Sequence, residues 1–259
     1  GTPSIVARHQ IRMMIKSASA SAGEHRFSEQ LLLTEWEQVV DAWQLYNWDS
    51  YRSVERLGRK TRLPENQREI LWSVYAEVRK ELAEQNLITR SEMFGKITDL
   101  YRSGQNLPFN HIVVDEAQDV SVAQLRFLAA IGSQQTQGLF FAGDLGQRIF
   151  QQPFSWLSQG VDIRGRSRSL RVNYRTSHQI RKSADRLLGP EITDVDGVTE
   201  DRRGTISVFN GPTPTFIAAD SPQDEINQVS NWIRGLLAHG VSAGELAVFV
   251  RSDAEFDRA

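Results

Sequence analysis

Residues 112–119 have the sequence Ile-Val-Val-Asp-Glu-Ala-Gln-Asp, and the expected fold is built around them. The apolar, mostly β-branched run at 111–114 is typical of a strand buried in a sheet. Two adjacent carboxylates, Asp115 and Glu116, follow it at once. Ligands of open α/β sheets bind beyond the carboxyl ends of the strands, so we expect a functional site here. The alternative is that the two acids only cap the helix that follows.

Strand-like and helix-like patterns alternate on the carboxyl side of this stretch. The apolar run at 139–142 predicts a second strand, and Ser169-Leu-Arg-Val-Asn173 predicts a third. Apolar residues at helical spacing predict one helix that begins at Ser121 and ends at Gly132, and another that begins at Thr176 or Ser177. Strands that alternate with helices are typical of a parallel sheet, and we therefore expect an α/β fold.

The chain is expected to fall into four segments. Residues 1–105 are predicted to be helical, because apolar residues recur at helical spacing and because Thr89 and Glu92 have the spacing of a capping box. Residues 106–189 form the α/β core. Residues 190–204 are acidic and without periodicity, which predicts a linker. Residues 205–259 form the start of a second α/β domain, with predicted strands at 205–209 and 246–250 and a helix that begins at Ser221-Pro222.

Composition excludes several classes of protein. The 259 residues carry 30 Lys and Arg against 32 Asp and Glu, and they contain no cysteine. The lack of cysteine excludes a disulfide scaffold, a Cys-ligated zinc site and a thiol nucleophile, and it fits a reducing, cytoplasmic location. No apolar run approaches the roughly 20 residues that a membrane-spanning helix needs, so no membrane partner is expected.

Positive charge is concentrated in one stretch. Residues 162–186 hold eight basic residues and two acidic ones, a local charge of +6, and a second basic cluster lies at 52–62. Such a stretch is either a solvated face or a surface that binds a polyanion.

Polar residues also follow the two later predicted strands. Gly143 after the strand at 139–142 permits a sharp turn or a close backbone approach. The amide of Gln147 can orient a water molecule or contact a phosphate oxygen. Arg175 stands at a strand-to-helix corner, where its guanidinium suits bidentate contact with a phosphate. Taken singly, these residues also fit an ordinary turn and a surface arginine.

Together and in this order, three motifs resemble those of superfamily 1 DNA helicases of the UvrD/Rep type. They are Asp115-Glu-Ala-Gln-Asp119, which matches the Walker B motif, Gly143-Asp144 with Gln147-Arg-Ile-Phe150, and Asn173-Tyr-Arg-Thr176. The resemblance covers residues 105–190 closely and 204–259 loosely. It implies a RecA-like P-loop NTPase parallel sheet, with 1–105 as a largely helical insertion in the first motor domain and 205–259 as the beginning of a second RecA-like domain.

The resemblance also implies ATP and Mg²⁺ as cofactors and a role for each motif residue. Asp115 would coordinate Mg²⁺, and Glu116 would be the catalytic base. Gln147 would sense the γ-phosphate and couple it to DNA. Tyr174 would pack near the nucleotide base, and Arg175 would contact the γ-phosphate and stabilise transition-state charge.

The expected nucleic-acid partners are single-stranded DNA or duplex/single-strand junctions, while protein partners stay open. Phe150 holds the position of a family aromatic that stacks on single-stranded DNA. The family often has Trp two residues later, where this chain has Gln152. The nearby Phe154 and Trp156 are candidates for the same contact.

The sequence departs from the family by lacking a G-x-x-x-x-G-K-[ST] phosphate loop. Its Gly95-Lys96 pair is followed by Ile97 and lies in a predicted helix. We therefore expect a fragment, inactive alone, of an ATP-dependent single-stranded DNA translocase or helicase that unwinds DNA, with DNA repair as one setting. The alternative is a P-loop-less, non-catalytic module of helicase ancestry that binds nucleic acid or protein.

Overall fold

A computed structural model describes residues 1–23, 25–56, 63–104, 107, 109–132, 137–149 and 151–256. The helices in this part of the chain are α1 (Arg8–Ser21), α2 (Glu29–Glu35), α3 (Trp48–Ser53), α4 (Glu65–Glu84), α5 (Arg90–Arg102), α6 (Val122–Gly132), α7 (His178–Ala184) and α8 (Pro222–Ala238). The strands are β1 (Ser4–Ile5), β2 (Leu87–Ile88), β3 (Ile112–Val114), β4 (Leu139–Phe141), β5 (Val172–Asn173), β6 (Glu191–Thr193), β7 (Thr199–Asp201) and β8 (Ile206–Ser207). Mixed helices and small sheets make this an α/β chain.

The chain divides into two compact units. The first comprises Gly1–Asn173 and Asp185–Ile206, and the second comprises Tyr174–Ala184 and Ser207–Ala259.

The amino-terminal part of the first unit is a helical cluster, as its periodicity predicts. The long helix α4 buries one face that is formed by Leu71, Val74, Tyr75, Val78 and Leu82. The helix α2 continues directly into a π-helical turn, Trp36–Asp41, and both contribute buried residues to the same core. The strands β1 and β2 pair in parallel at the edge of this cluster, an addition to the helices that periodicity alone predicts.

The capping box that the sequence predicts at the start of α5 is present. The Thr89 hydroxyl accepts a hydrogen bond from the Glu92 backbone N–H at 3.1 Å, and a Glu92 carboxylate oxygen accepts one from the Thr89 N–H at 3.0 Å. Both N–H groups lie in the first turn, where no helical carbonyl can reach them. The helix therefore begins at the residue that its sequence indicates, and Gly95-Lys96 lies inside it.

The strands β3 and β4 form a parallel pair connected through α6. Val113 stands opposite Phe140 in the register, and these two side chains are 72% and 63% exposed. The flanking residues Ile112, Val114 and Phe141 instead pack on the second hydrophobic core of the unit, which α6 supplies with Leu125 and Leu128. The prediction of buried strands is thus correct for one face of the pair and wrong for the other.

Residues 190–204, which the sequence predicts to be a linker, contain a β-hairpin. The strands β6 and β7 pair in antiparallel register. The Asp194 carboxylate accepts hydrogen bonds from the N–H groups of Asp196 and Val198 at 2.9 and 2.8 Å, and Gly197 adopts φ 80°. The acidic residues that suggest a linker therefore build a tight turn.

The second unit contains α7 and α8. The Ser221 hydroxyl accepts from the Asp224 N–H at 3.1 Å, and Pro222 occupies the first helical position, as predicted. The apolar residues of α8 are only partly covered, and Trp232 is 60% exposed. The strand expected at 246–250 is absent, since among the described residues no neighbouring strand pairs with it.

Within the described residues, no helix combines the length and apolarity that crossing a membrane requires.

Candidate active site

Asp115 and Glu116 lie at the carboxyl end of β3, and both side chains are exposed. Glu116 adopts the left-handed conformation, with φ 51° and ψ 42°. A non-glycine residue in this region costs roughly 1–3 kcal/mol, and such residues cluster at functional sites. The Asp115 carboxylate accepts a hydrogen bond from the Glu116 N–H at 2.9 Å. The chain therefore turns sharply at the second carboxylate.

Backbone hydrogen bonds hold this turn against β4. The Ala142 N–H donates to the Val114 carbonyl at 2.8 Å, and the Ala117 N–H donates to the Ala142 carbonyl at 2.8 Å. The end of β3 and the end of β4 are thereby fixed side by side. The first two motifs predicted from the sequence therefore meet at one edge of the parallel pair.

Gln118 connects these two motifs. This buried side chain donates from Nε2 to Glu116 Oε2 at 2.6 Å, and its Oε1 accepts from the Asp144 N–H at 3.0 Å. The sequence motif alone gave Gln118 no role, although it stands between the acids of the first motif. No local pattern identifies Gln118, because its partner Asp144 lies 26 residues away in the sequence.

Gly143 lies where a side chain would not fit. A Cβ at this position would stand 2.6 Å from Gln118 Oε1 and 3.0 Å from the Ala117 backbone nitrogen. The prediction of a close backbone approach at Gly143 is confirmed.

Asp144 organises the turn that carries Gln147. Its Oδ1 accepts from the Gly146 N–H at 2.8 Å, and its Oδ2 accepts from Gln147 Nε2 at 2.9 Å. Hydrogen bonds therefore run from Glu116 through Gln118 and Asp144 to Gln147. We call this set of four residues the carboxylate–amide chain.

Arg202 binds the same aspartate from the far end of β7. Its guanidinium lies 3.0 Å from Asp144 Oδ1 and 3.3 Å from Asp185 Oδ1, and its side chain is only 15% exposed. Burial opposes ionisation of Asp144. The hydrogen bonds from Gln147 and Gly146 and the charge of Arg202 outweigh burial and hold the pKa of Asp144 below its usual value. Arg202 was not among the predicted site residues, because it lies in the segment predicted to be a linker.

The hairpin tip is anchored near the same loop. The Asp196 carboxylate accepts from the backbone N–H groups of Trp156 and Leu157 at 2.6 and 3.0 Å, and from the Ser155 hydroxyl. The hairpin thus contacts residues 155–157, while Arg202, which follows it, contacts Asp144.

Trp156 is a core residue, which corrects its assignment to DNA stacking. Its indole is 7% exposed and packs edge-on against Phe141, with ring centroids 4.9 Å apart. Phe154 is buried as well and packs edge-on against Trp43. Burial at this level leaves neither ring a face on which a base could stack. Phe150 lies outside the described residues.

Tyr174, Arg175 and Thr176 of the third motif belong to the second unit, whereas Asn173 belongs to the first. Asp115, Glu116 and Gln147 also belong to the first unit. Tyr174 is exposed, and Arg175 lies between it and α7. The Ser177 hydroxyl accepts from the Ile180 N–H at 3.4 Å, which agrees with the predicted start of α7.

The carboxylates at the end of β3 are suitable protein ligands for a magnesium ion that is bound together with a nucleotide. Among the described residues there is no group of three or more His, Cys, Asp or Glu suited to hold a metal by itself. Mg²⁺ is usually held by one or two carboxylates together with water and substrate phosphates, and Asp115 and Glu116 offer such a pair. Asp119 follows shortly after Glu116 in the sequence. Its Oδ1 atom is buried and has no hydrogen-bond partner in the described part of the chain.

Comparisons with known proteins agree with the first two motifs, at 115–119 and 143–150. The family model of the UvrD/REP helicase N-terminal domain matches residues 4–153. A curated relative, an ATP-dependent helicase/nuclease subunit of Lactobacillus johnsonii, is 28% identical over 122 residues, which are 44% of this chain and 10% of the relative. The chain thus spans about a tenth of the length of that relative. Since the family match covers more than half of the residues, the chain belongs to the UvrD/REP helicase family, as part of its N-terminal domain.

Proposed function

We propose that the chain is part of the ATP-hydrolysing motor of a DNA translocase or helicase, with a RecA-like core. The carboxylate–amide chain is the observation that carries this proposal, because it joins a strained, exposed Glu116 to the amide of Gln147. The name of the relative, which describes an ATP-dependent helicase/nuclease, agrees with it. ATP and Mg²⁺ are the proposed cofactors, and Asp115 is the proposed Mg²⁺ ligand. Bound Mg²⁺ would neutralise charge that develops on the transferred phosphoryl group.

Glu116 is the proposed general base. One of its carboxylate oxygens accepts the hydrogen bond from Gln118, which orients the group, and the other would accept the proton of the attacking water. The exposed position of Glu116 at the strand end leaves room for substrate.

Gln147 is the proposed sensor of the terminal phosphate. Its Nε2 is bound by Asp144, so a contact made by Gln147 would act directly on the aspartate that Gln118 also holds. In the second unit, Arg175 is proposed to stabilise transition-state charge and Tyr174 to pack near the nucleotide base. The segments 1–105, 106–189, 190–204 and 205–259 are proposed to serve as helical insertion, first motor core, connection and start of the second motor domain.

Substitution of Glu116 by Gln in the full-length protein tests the proposal. Removal of the base should lower DNA-stimulated ATP turnover by about 100-fold or more, while nucleotide binding persists. Glu77→Gln on the exposed face of α4 is the matched control and should leave turnover unchanged. Full turnover in the Glu116→Gln protein would show that the assigned base is wrong.

Single-stranded DNA or a duplex/single-strand junction is the proposed nucleic-acid partner. Arg164, Arg166 and Arg168 lie on an exposed stretch of the +6 segment, which supports contact with a polyanion. Phosphate contacts release counterions, so binding of an oligonucleotide should weaken steeply with salt. Binding that is independent of salt would contradict this partner. A cytoplasmic location is proposed as well, supported by the cysteine-free sequence.

A further inference from the structure

One cavity in the described residues of the first unit lies away from the carboxylate–amide chain. It has a volume of about 1010 Å³ and lies between α5, the end of α4 and α6. None of Asp115, Glu116 and Gln147 lines it. Ligand pockets usually have volumes of roughly 300–1,000 Å³, so the cavity can admit a nucleotide-sized group.

Arg126 of α6 lines this cavity without a carboxylate partner in the described part of the chain. Its Nε donates to Gln159 Oε1 at 2.7 Å and its Nη1 donates to the Trp43 carbonyl at 3.4 Å. Its guanidinium also lies 5.6 Å from the centroid of the Trp43 ring. Neutral acceptors and an aromatic ring thus hold a half-buried cation in place.

Arg102 places a second positive charge close enough to act on Arg126. Burial lowers the pKa of Arg126, and the charge of Arg102 lowers it further. A buried cation beside a second cation is unfavourable unless an anion joins them.

Two further basic residues increase the positive charge of the cavity. Arg102 and Lys96 both line it from α5, and neither has an ion pair in the structure as described. The acids that line it are Glu92 and Asp99. Glu92 forms an ion pair with Arg79, in which the guanidinium lies 2.7 Å from the carboxylate. The same carboxylate also accepts a hydrogen bond in the capping box of α5. The three cations Arg126, Arg102 and Lys96 stand against one remaining acid, Asp99, which leaves the cavity a net charge of +2. We call these three cations the basic triad.

We propose that the basic triad binds a phosphate group, supplied by a nucleic-acid strand or by a free nucleotide or phosphate. Guanidinium groups offer planar pairs of N–H donors that match phosphate oxygens, and an ammonium adds a point charge. With Asp99 offsetting one charge, the net charge of +2 around the cavity suits a multiply charged anion better than a single carboxylate. The site is separate from the proposed ATP site and does not depend on it.

Nuclear magnetic resonance of the arginine Nε–H groups provides the test. The chain is titrated with inorganic phosphate at ionic strength held constant with chloride, and Arg126→Gln identifies the reporter signal. Phosphate should shift the Arg126 signal in a saturable manner. Lys96→Gln and Arg102→Gln should each weaken phosphate binding about 10-fold, as loss of a charge-assisted hydrogen bond does.

Lys80→Gln is the matched control, because Lys80 is an exposed cation of α4 that pairs with Glu77 outside the cavity. It should bind phosphate as the unaltered chain does. A second titration uses a twelve-residue oligothymidylate without free phosphate.

The two titrations distinguish the sources of the phosphate. Weakening of both ligands by Arg102→Gln supports a nucleic-acid strand as the source, and weakening of inorganic phosphate alone supports a free nucleotide or phosphate. An Arg126 signal that neither ligand shifts, or affinities for both ligands that no variant changes, overturns the proposal. Lys96 and Arg102 are exposed, so their substitution tests the site without disturbing a core.

Discussion

Gln118 is the residue on which the geometry of the candidate site depends most directly. Its buried side chain donates a hydrogen bond to the Glu116 carboxylate and accepts one from the Asp144 N–H. The sequence motif predicts where Asp115 and Glu116 lie, because strand ends are a local property. It does not predict the partners of Gln118, because Asp144 belongs to a segment that only folding brings close.

Replacement of Gln118 by Leu should lower the free energy of unfolding by about 1–3 kcal/mol. The substitution leaves the Asp144 N–H without its acceptor, and an unsatisfied buried donor costs about this much. Urea denaturation measures the loss. Gln85→Leu at the exposed end of α4 is the control and should change stability by less than about 0.5 kcal/mol. Equal effects of the two substitutions would contradict the role given to Gln118.

Replacement of Arg202 by Ala should raise the pKa of Asp144 toward the usual carboxyl value. The folded-state pKa of Asp144 is depressed, so its ionised form adds stability above the usual carboxyl pKa, and that contribution is lost as pH falls through the folded-state pKa. Without Arg202, ionised Asp144 should contribute less to the stability of the folded protein. A carbon-detected carboxylate titration measures the pKa.

Arg203→Ala is the control for this experiment. Arg203 is adjacent in sequence but exposed, and it pairs with Asp201 and Glu191 instead of Asp144. It should leave the pKa of Asp144 unchanged. If Arg202→Ala also left it unchanged, Arg202 would not be a determinant of the charge state of Asp144.

Among the elements, helices and their caps follow from the sequence more closely than the strands do. The caps at Thr89 and Ser221 use side chains within three residues of the groups they satisfy, so a local pattern suffices to predict them. The hairpin of β6 and β7 is not predicted, because its strands are short and the segment is held by contacts with Asp144 and Trp156 far away in the sequence.

Asp196→Ala should loosen this hairpin. The substitution removes the acceptor of two backbone N–H groups and one hydroxyl, so amide hydrogens of residues 191–201 should exchange faster with solvent. Hydrogen-exchange mass spectrometry measures the change. Asp201→Ala removes a carboxylate of the same hairpin that pairs with the exposed Arg203, and it is the control. Unchanged exchange in the Asp196→Ala protein would show that the tip contact does not hold the hairpin.

At the scale of the whole molecule, the two units differ in how much apolar surface they cover. The first contains two clusters of buried apolar residues, whereas in the described residues of the second no apolar side chain is fully buried. Segment 174–184 belongs to the second unit although residues on both sides belong to the first. Periodicity reports only local neighbours, so it cannot reveal such an interleaved arrangement.

This difference predicts unequal protection from hydrogen exchange. Amides in the middle of α4 should exchange at least about 100-fold more slowly than those of α8, whose Trp232 face is open, because opening free energies rise with apolar burial. Measurement at several protein concentrations controls for self-association. Equal protection of α4 and α8 at the lowest concentration would contradict the expectation.

Because the backbone of Glu116 is left-handed, thermal stability and the proposed catalysis favour different residues at position 116. Glycine or asparagine adopts this conformation with less strain than glutamate does. A library of variants selected only for heat resistance should therefore accumulate Gly or Asn at position 116, and those variants should lack the proposed ATP turnover. Enrichment of glutamate under that selection would show that the left-handed turn carries no cost.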